Sequence, residues 1–292
     1  MMNTKNINRF NFLLATFIIL WGAWVRLSGS GAGCGEHWPL CNGEVIPMTD
    51  SYKTIIEFVH RLTSGIYGLT VLGGVIYAAK EYGKKHRVFY SSLLVLIFTI
   101  IEALIGAVLV KKGLVDKNAS HLRAIVIAMH LANTLLLIST HLLVEYFTTT
   151  NFKINFKKLL TVKNLSILFL FMIVACSGAV TALGNTLFPD TSLIEGMGRD
   201  FDISSPFLIQ LRIYHPIAAI ALGLLIISKS LKVDKTSSTY HRLLLPTIVI
   251  ALCFGVINWL MMSPAWGALI HLLLADALWS ILLMTILYDS KK

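Results

Sequence analysis

Apolar residues run along this chain in eight blocks, each long enough to cross a bilayer as a helix and each bounded by polar or charged residues. The blocks predict helices over Asn11–Leu27, Ser51–Ala79, Ser91–Val110, His121–Tyr146, Leu165–Leu183, Pro206–Ser228, Leu243–Met262 and Pro264–Tyr288. The first runs into Trp24 and Arg26 without a small-residue cleavage site, so it reads as a span rather than a removable signal. The segments between blocks alternate in charge. With both ends inside, sixteen of the 25 basic residues fall in inner segments, among them Lys84, Lys85, Arg87, Lys235 and Lys292, while Lys111, Lys112 and Lys117 fall on the other side. This balance predicts a multi-pass protein of the cell membrane with both termini cytoplasmic.

The blocks also repeat. Gly22-Ala23-Trp24-Val25 closes the first helix and Gly178-Ala179-Val180-Thr181 closes the fifth, and a histidine follows each, at 60 and at 215. The fourth and eighth helices share Met129-His130-Leu131 and Ile270-His271-Leu272. Each half has four helices and starts inside, which predicts parallel repeats. The fold class is therefore all-α, with two four-helix bundles over 1–150 and 151–292 joined by the lysine-rich segment Phe147–Asn164.

Composition narrows the class further. Apolar residues make up 56% of 292 and charged ones only 14%, with a mean hydropathy of +0.74. A disordered chain is excluded, and a soluble enzyme does not fit. The formal charge of +10 encodes orientation rather than nucleic-acid binding, and no nucleic-acid partner is expected. Four cysteines in this length do not make a disulfide scaffold.

Ionisable residues inside membrane helices are costly, so they are the first candidates for function. His60, His130, His215 and His271 all lie within spans. The candidate N-caps Asp50, Ser120, Ser205 and Ser263 precede them by eight to ten residues. At about 1.5 Å per residue the four imidazoles lie roughly 12–15 Å inside their helix starts, in one layer of the outer half. They can be four separate packing histidines, or two bis-histidine haem sites, one per half. Two imidazoles from facing helices can fill both axial positions of a haem iron, and a four-helix bundle offers the slot. No repeated carboxylate or thiol accompanies them, which disfavours zinc. His86 and His241 read as solvated, and His37, His121 and His141 as surface or packing residues.

The halves diverge around these histidines. Glu57 and Arg212 hold the same place, three residues before His60 and His215. Haem carries propionates, so Arg61 and Arg212 are candidate partners for them. Glu57 beside an apolar macrocycle could move protons, or could form a salt bridge with Arg61. Cys34 and Cys41 flank a loop rich in Gly and Pro. A disulfide fits an oxidising outer compartment, as a structural staple or a redox-active bond. Cys176 and Cys253 read as small buried apolar residues. Glu102, Asn258 and Asp276 are intramembrane polar residues that interhelical bonds could explain, and Gly184–Ser205 is either a lid or a solvated connection.

Taken together, Gly29–Cys34 with Trp38-Pro39-Leu40-Cys41, Glu57-x-x-His60-Arg61, His130-Leu131, the His215 motif and His271-Leu272 with Trp279 resemble the haem A synthase family over nearly the whole chain. The resemblance implies a membrane oxidoreductase that oxidises the C8 methyl of haem O to a formyl group, with oxygen from water, for terminal oxidase supply. It implies haem O as substrate on His60 and His130, a haem b cofactor on His215 and His271, Glu57 as the essential carboxylate, and a Cys34–Cys41 disulfide. Haem O synthase, the terminal oxidase, membrane lipid and an external electron acceptor or quinone are the partners it suggests. The chain departs from the family in three ways. A second cysteine pair is missing from Gly184–Ser205, Pro216 follows the third histidine, and Glu102 stands where an amide is common. A diheme cytochrome b electron carrier and a non-catalytic haem-handling assembly partner are the competing readings.

Overall fold

A computed structural model describes residues 3–232 and 238–291; Lys235 and Lys292, counted above among the inner basic residues, lie outside them. Eleven helices form among the described residues: α1 Thr4–Leu27, α2 Tyr52–Tyr82, α3 Arg87–Lys111, α4 His121–Thr149, α5 Phe156–Leu159, α6 Val162–Leu187, α7 Leu193–Phe201, α8 Phe207–Gln210, α9 Tyr214–Lys232, α10 Thr239–Leu260 and α11 Ala265–Asp289. Pairing of extended backbone there is limited to two isolated bridges, Cys41 with Glu44 and Ile154 with Lys291. Eight segments are long and apolar enough to cross a membrane, with α8 and α9 together forming one of them. The protein is an all-helical, multi-pass membrane protein. Backbone groups in hydrocarbon have no water to bond, and a helix satisfies them internally.

The chain divides into two compact units, Met1–Asn151 and Phe152–Lys292. In the first, α1 packs on α2 and α4, and α3 lies between α2 and α4. Its core holds Ala15, Ile18, Tyr67, Val71, Ala78, Val88, Val95, Leu137 and Val144. In the second, α9 packs on α6 and α10, and α10 on α11. Phe171 of α6 meets Trp279 of α11 with ring centroids 5.0 Å apart. Leu13, Leu69, Phe169 and Leu224 are exposed on the helices, as side chains facing lipid should be.

The sixth predicted span departs from one unbroken helix over Pro206–Ser228. It breaks at 211–213, between α8 and α9. Pro216 is the cause: it has no N–H to give the carbonyl of Arg212, and its ring crowds the preceding turn. A proline is tolerated in the first turn of a helix, and Pro216 is the third residue of α9. His215 is thus the second residue of a new helix, not the tenth of a long one. Of the predicted caps, Ser120 accepts from the Arg123 N–H at 3.2 Å. The other three caps fall one residue later, on Ser51, Pro206 and Pro264, without a side-chain bond.

Two other histidines are buried and hydrogen-bonded, one against its sequence reading and one in line with it. His241 is buried rather than solvated, with Nε2 2.8 Å from Asp289 Oδ1 and Nδ1 hydrogen-bonded to Ser238. His141 is a packing residue that ties three helices together. Its Nδ1 lies 2.8 Å from Asn8 Oδ1 on α1, its Nε2 lies 2.8 Å from the Tyr67 hydroxyl on α2, and its carbonyl accepts from Asn8 Nδ2 at 3.1 Å. Replacing His141 with Leu leaves buried Asn8 and Tyr67 short of partners, which costs about 1–3 kcal/mol. Thermal unfolding of the purified protein in detergent should show H141L melting several degrees lower. An unchanged Tm would mean that the three-helix tie contributes nothing.

Candidate functional site

The structure brings the four predicted histidines together in two pairs, one in each unit. In the second unit His215 and His271 face each other with ring centroids 6.3 Å apart and planes at 83°. In the first, His60 has His130 and Glu102 as electrostatic neighbours. Among the described residues none of the four Nε2 atoms makes a hydrogen bond. The Nδ1 atoms are instead turned into protein: His215 Nδ1 lies 3.1 Å from the Val174 carbonyl and 3.2 Å from Ser177 Oγ. His130 Nδ1 lies 3.1 Å from Glu102 Oε1. His271 Nδ1 is buried without a bond, and so is His60 Nδ1. A proton held on Nδ1 by a carbonyl leaves the lone pair on Nε2, which is the form a metal needs.

Glycines shape the room for these rings. A Cβ at Gly22 of α1 would stand 2.9 Å from His60 Cε1, and one at Gly178 of α6 would stand 2.8 Å from His215 Cε1. A Cβ at Gly255 of α10 would stand 3.0 Å from His271 Cε1. The repeated Gly-Ala motif therefore marks the place where α1 and α6 each receive an imidazole from the next long helix. Trp21 Nε1 donates to the Ile56 carbonyl at 3.0 Å and sets the spacing of α1 and α2 beside that contact. His130 has no such glycine. Glu102 holds it, and is held in turn by Asn133 Nδ2 at 2.5 Å and Thr134 Oγ1 at 2.5 Å.

The donor set fits haem iron. Two metal–nitrogen bonds of about 2 Å plus the half-widths of two imidazoles come to roughly 6 Å between ring centroids, close to the separation in the second unit. No group of three or more His, Cys, Asp or Glu that could hold a bare metal ion is found among the described residues. Two facing imidazoles are a donor set that a haem iron accepts at both axial positions.

Glu57 is one turn from His60 and buried. Its Oε1 accepts from Arg61 Nη2 at 2.6 Å and Nε at 3.2 Å, and its Oε2 accepts from the Cys34 N–H at 2.8 Å. The salt bridge weighed from the spacing is present. Arg61 also donates to the carbonyls of His37 and Leu40, the latter at 2.5 Å. Cys34 and Cys41 are joined in a disulfide, and both are buried. Arg212 is engaged as well, by Asp190 at 2.7 Å, Asp200 at 2.7 Å and Asn185 Oδ1 at 3.1 Å. Partial burial pushes the Asp200 carboxyl up, against the opposing pull of Arg212. The segment Gly184–Ser205 thus folds α7 and two carboxylates onto Arg212. Cys253 is exposed on α10, not buried as its sequence context suggests, and Cys176 is half-buried. Both carboxylate oxygens of Asp276 are buried without a hydrogen bond, so no interhelical bond accounts for it among the described residues.

Placing a leucine at Gly22 or at Gly178 should push out one imidazole each. Haem-loaded G22L should lose about half of its bis-histidine absorbance and G178L the other half. Full absorbance in both would show that these glycines do not hold the ligands.

A family model described as cytochrome oxidase assembly protein matches residues 7–283. A protein of Thermus thermophilus named protoheme IX farnesyltransferase is 38% identical over 273 residues, which is 90% of this chain but 44% of the Thermus protein. The chain therefore spans less than half the length of that relative. Heme A synthases of Bacillus mycoides and Bacillus cereus are each 44% identical over 96 residues, 33% of this chain and 31% of theirs. With a match running from α1 into α11, and in line with the resemblance read from its motifs, the chain belongs to the cytochrome oxidase assembly protein family.

Proposed function

We propose that this protein converts haem O to haem A by oxidising the C8 methyl of the macrocycle to a formyl group. Substrate is held in the first unit between His60 and His130. His215 and His271 hold a haem b in the second unit, where it supplies a one-electron carrier. The observation that supports this reading best is an asymmetry. Both units present imidazole pairs with unengaged Nε2 atoms, but only the first adds a buried carboxylate one turn from its ligand.

Each of two successive oxidations takes two electrons and releases two protons, with water supplying the oxygen, and the electrons leave to an external acceptor or a quinone. The chain's own part is to bind, orient and move protons. Donors on both oxygens hold Glu57 in its ionised form, the form in which a carboxylate can receive a proton. Arg61 fixes it from one side and the backbone of the disulfide loop from the other. Glu102 orients the His130 ring, so its Nε2 points away from α3. The farnesyltransferase name of the Thermus relative belongs to a protein more than twice as long as the matched part. An enzyme of that chemistry would supply haem O, and a terminal oxidase would take the product.

A diheme electron carrier is the second reading, favoured by one observation: the Glu57 carboxylate is already occupied by Arg61 and Cys34 and has a structural use. Haem extraction separates the two. Co-expressed with a haem O-producing enzyme, wild type should yield haem A or its alcohol precursor by chromatography and mass spectrometry. Glu57→Ala should still bind haem and form product at least about a hundredfold more slowly. Haem B and haem O alone from both well-folded proteins would favour the carrier, and wild-type turnover in Glu57→Ala would remove Glu57 from the mechanism.

A further inference from the structure

The intramembrane acids of this chain are not alike. Glu57 and Glu102 each have donors on both carboxylate oxygens. Asp276 of α11 has none. It is 5% exposed, and both of its carboxylate oxygens are buried without a hydrogen bond among the described residues. The Ser280 hydroxyl one turn away donates to the Asp276 backbone carbonyl instead. Asp276, Trp279 and Leu283 stand at positions i, i+3 and i+7 on one buried face, and Trp279 meets Phe171 of α6. α6 is also the helix whose Val174 carbonyl and Ser177 hydroxyl hold His215 Nδ1. Along α11, Asp276 follows His271 by five residues, about 7.5 Å of rise. Counted from His130, the matching position in the first half is Leu135, which is also buried. The acid is therefore peculiar to the second unit, one turn and a half from a histidine to which no hydrogen bond ties it.

No cation answers it. α11 packs on α10, α6 and α5. Tyr240, His241 and Arg242 of α10, Lys163 of α6, and Lys157 and Lys158 of α5 belong to the end of the unit where Asp289 bonds His241 and the Asn155 N–H reaches the Ser290 carbonyl. Tyr288 and Asp289 of α11 itself lie there too, about 20 Å along the helix from Asp276. The other titratable side chains on these helices are exposed Cys253, half-buried Cys176 and His271, with His215 facing His271 from α9. An acid without donor or counter-ion in an apolar bundle loses its charge by holding a proton. Proton binding at such a site responds to any charge that appears beside it. One electron added to a bis-imidazole haem removes one positive charge from its core. At roughly 10–15 Å, with an effective dielectric of about 20, one charge alters proton affinity by roughly tenfold. Reduction thus favours the carboxyl and oxidation the carboxylate.

We propose that Asp276 is a proton-binding site coupled to the redox state of the haem in the second unit. An electron entering that haem from the oxidation of substrate brings one proton from solvent onto the Asp276 carboxylate. When the electron leaves to the external acceptor or quinone, the proton is returned to solvent. The ligated iron core and Asp276 together then carry the same net charge before and after each transfer. The proposal rests on the reading of His215 and His271 as haem ligands.

The test is a potentiometric titration of the full chain in detergent, loaded with iron protoporphyrin IX, at several pH values between about 5 and 9. Second-unit haem is read as the haem lost in His271→Ala. Its midpoint potential in wild type should fall as pH rises, by about 59 mV in total for a tenfold coupling. Asp276→Asn should remove that fall, and Asp276→Glu should keep it. A wild-type potential independent of pH overturns the proposal even if neither variant folds, and so does an equal fall in wild type and Asp276→Asn. If His271→Ala loses no haem, the haem reading of the second unit fails instead.

Discussion

An imidazole nitrogen kept free of hydrogen bonds inside an apolar bundle is the constraint on which this structure turns. An ionisable ring within a membrane helix is costly, and the described residues hold four whose Nε2 makes no hydrogen bond. Around each, a neighbour has been made small or polar to set the ring's position. Gly22, Gly178 and Gly255 give way to His60, His215 and His271, while Glu102 grips His130. Long helices on either side then have their spacing fixed by the thickness of a ring. Interfaces between membrane helices commonly use small residues so that backbones approach; here the glycine admits a side chain instead.

The two units use charge in opposite senses at matched positions. Glu57 and Arg212 stand three residues before their histidines, and each recruits the opposite sign from a loop or its own helix: Arg61 in one unit, Asp190 and Asp200 in the other. The result in both is a polar cluster of paired charges just before a histidine in the chain. What differs is the ionisable group three residues before the ligand, a carboxylate in one and a guanidinium in the other.

Much of this was legible in the chain. Eight apolar blocks of span length leave little choice but eight membrane helices, and the paired Gly-to-His spacings marked the ring contacts before their purpose was visible. Other features were not legible, for identifiable reasons. The break before α9 follows from Pro216, whose effect reaches back a full turn. The burial of His241 depends on Asp289, forty-eight residues away. The apolar setting of Asp276 was equally hidden, since a lone acid in a span can as easily have a partner on the next helix.

The disulfide loop is moulded by a single stripe of α2. Thr54 Oγ1 donates to the Gly33 carbonyl at 2.8 Å, Glu57 accepts from Cys34, and Arg61 reaches the carbonyls of His37 and Leu40. These residues stand three and four apart, on one helical face. Gly33 lies so close to α2 that a Cβ there would fall 2.5 Å from the Lys53 carbonyl. Within the loop the Asn42 N–H donates to the Cys34 carbonyl and the Cys41 N–H to the Glu44 carbonyl, at 3.0 Å each, so its turn is its own and only its wall is borrowed from α2. During synthesis the loop emerges before α2, so the surface it is pressed against is made after it. Any change along that stripe of α2 is therefore also a change to the lining of the disulfide loop.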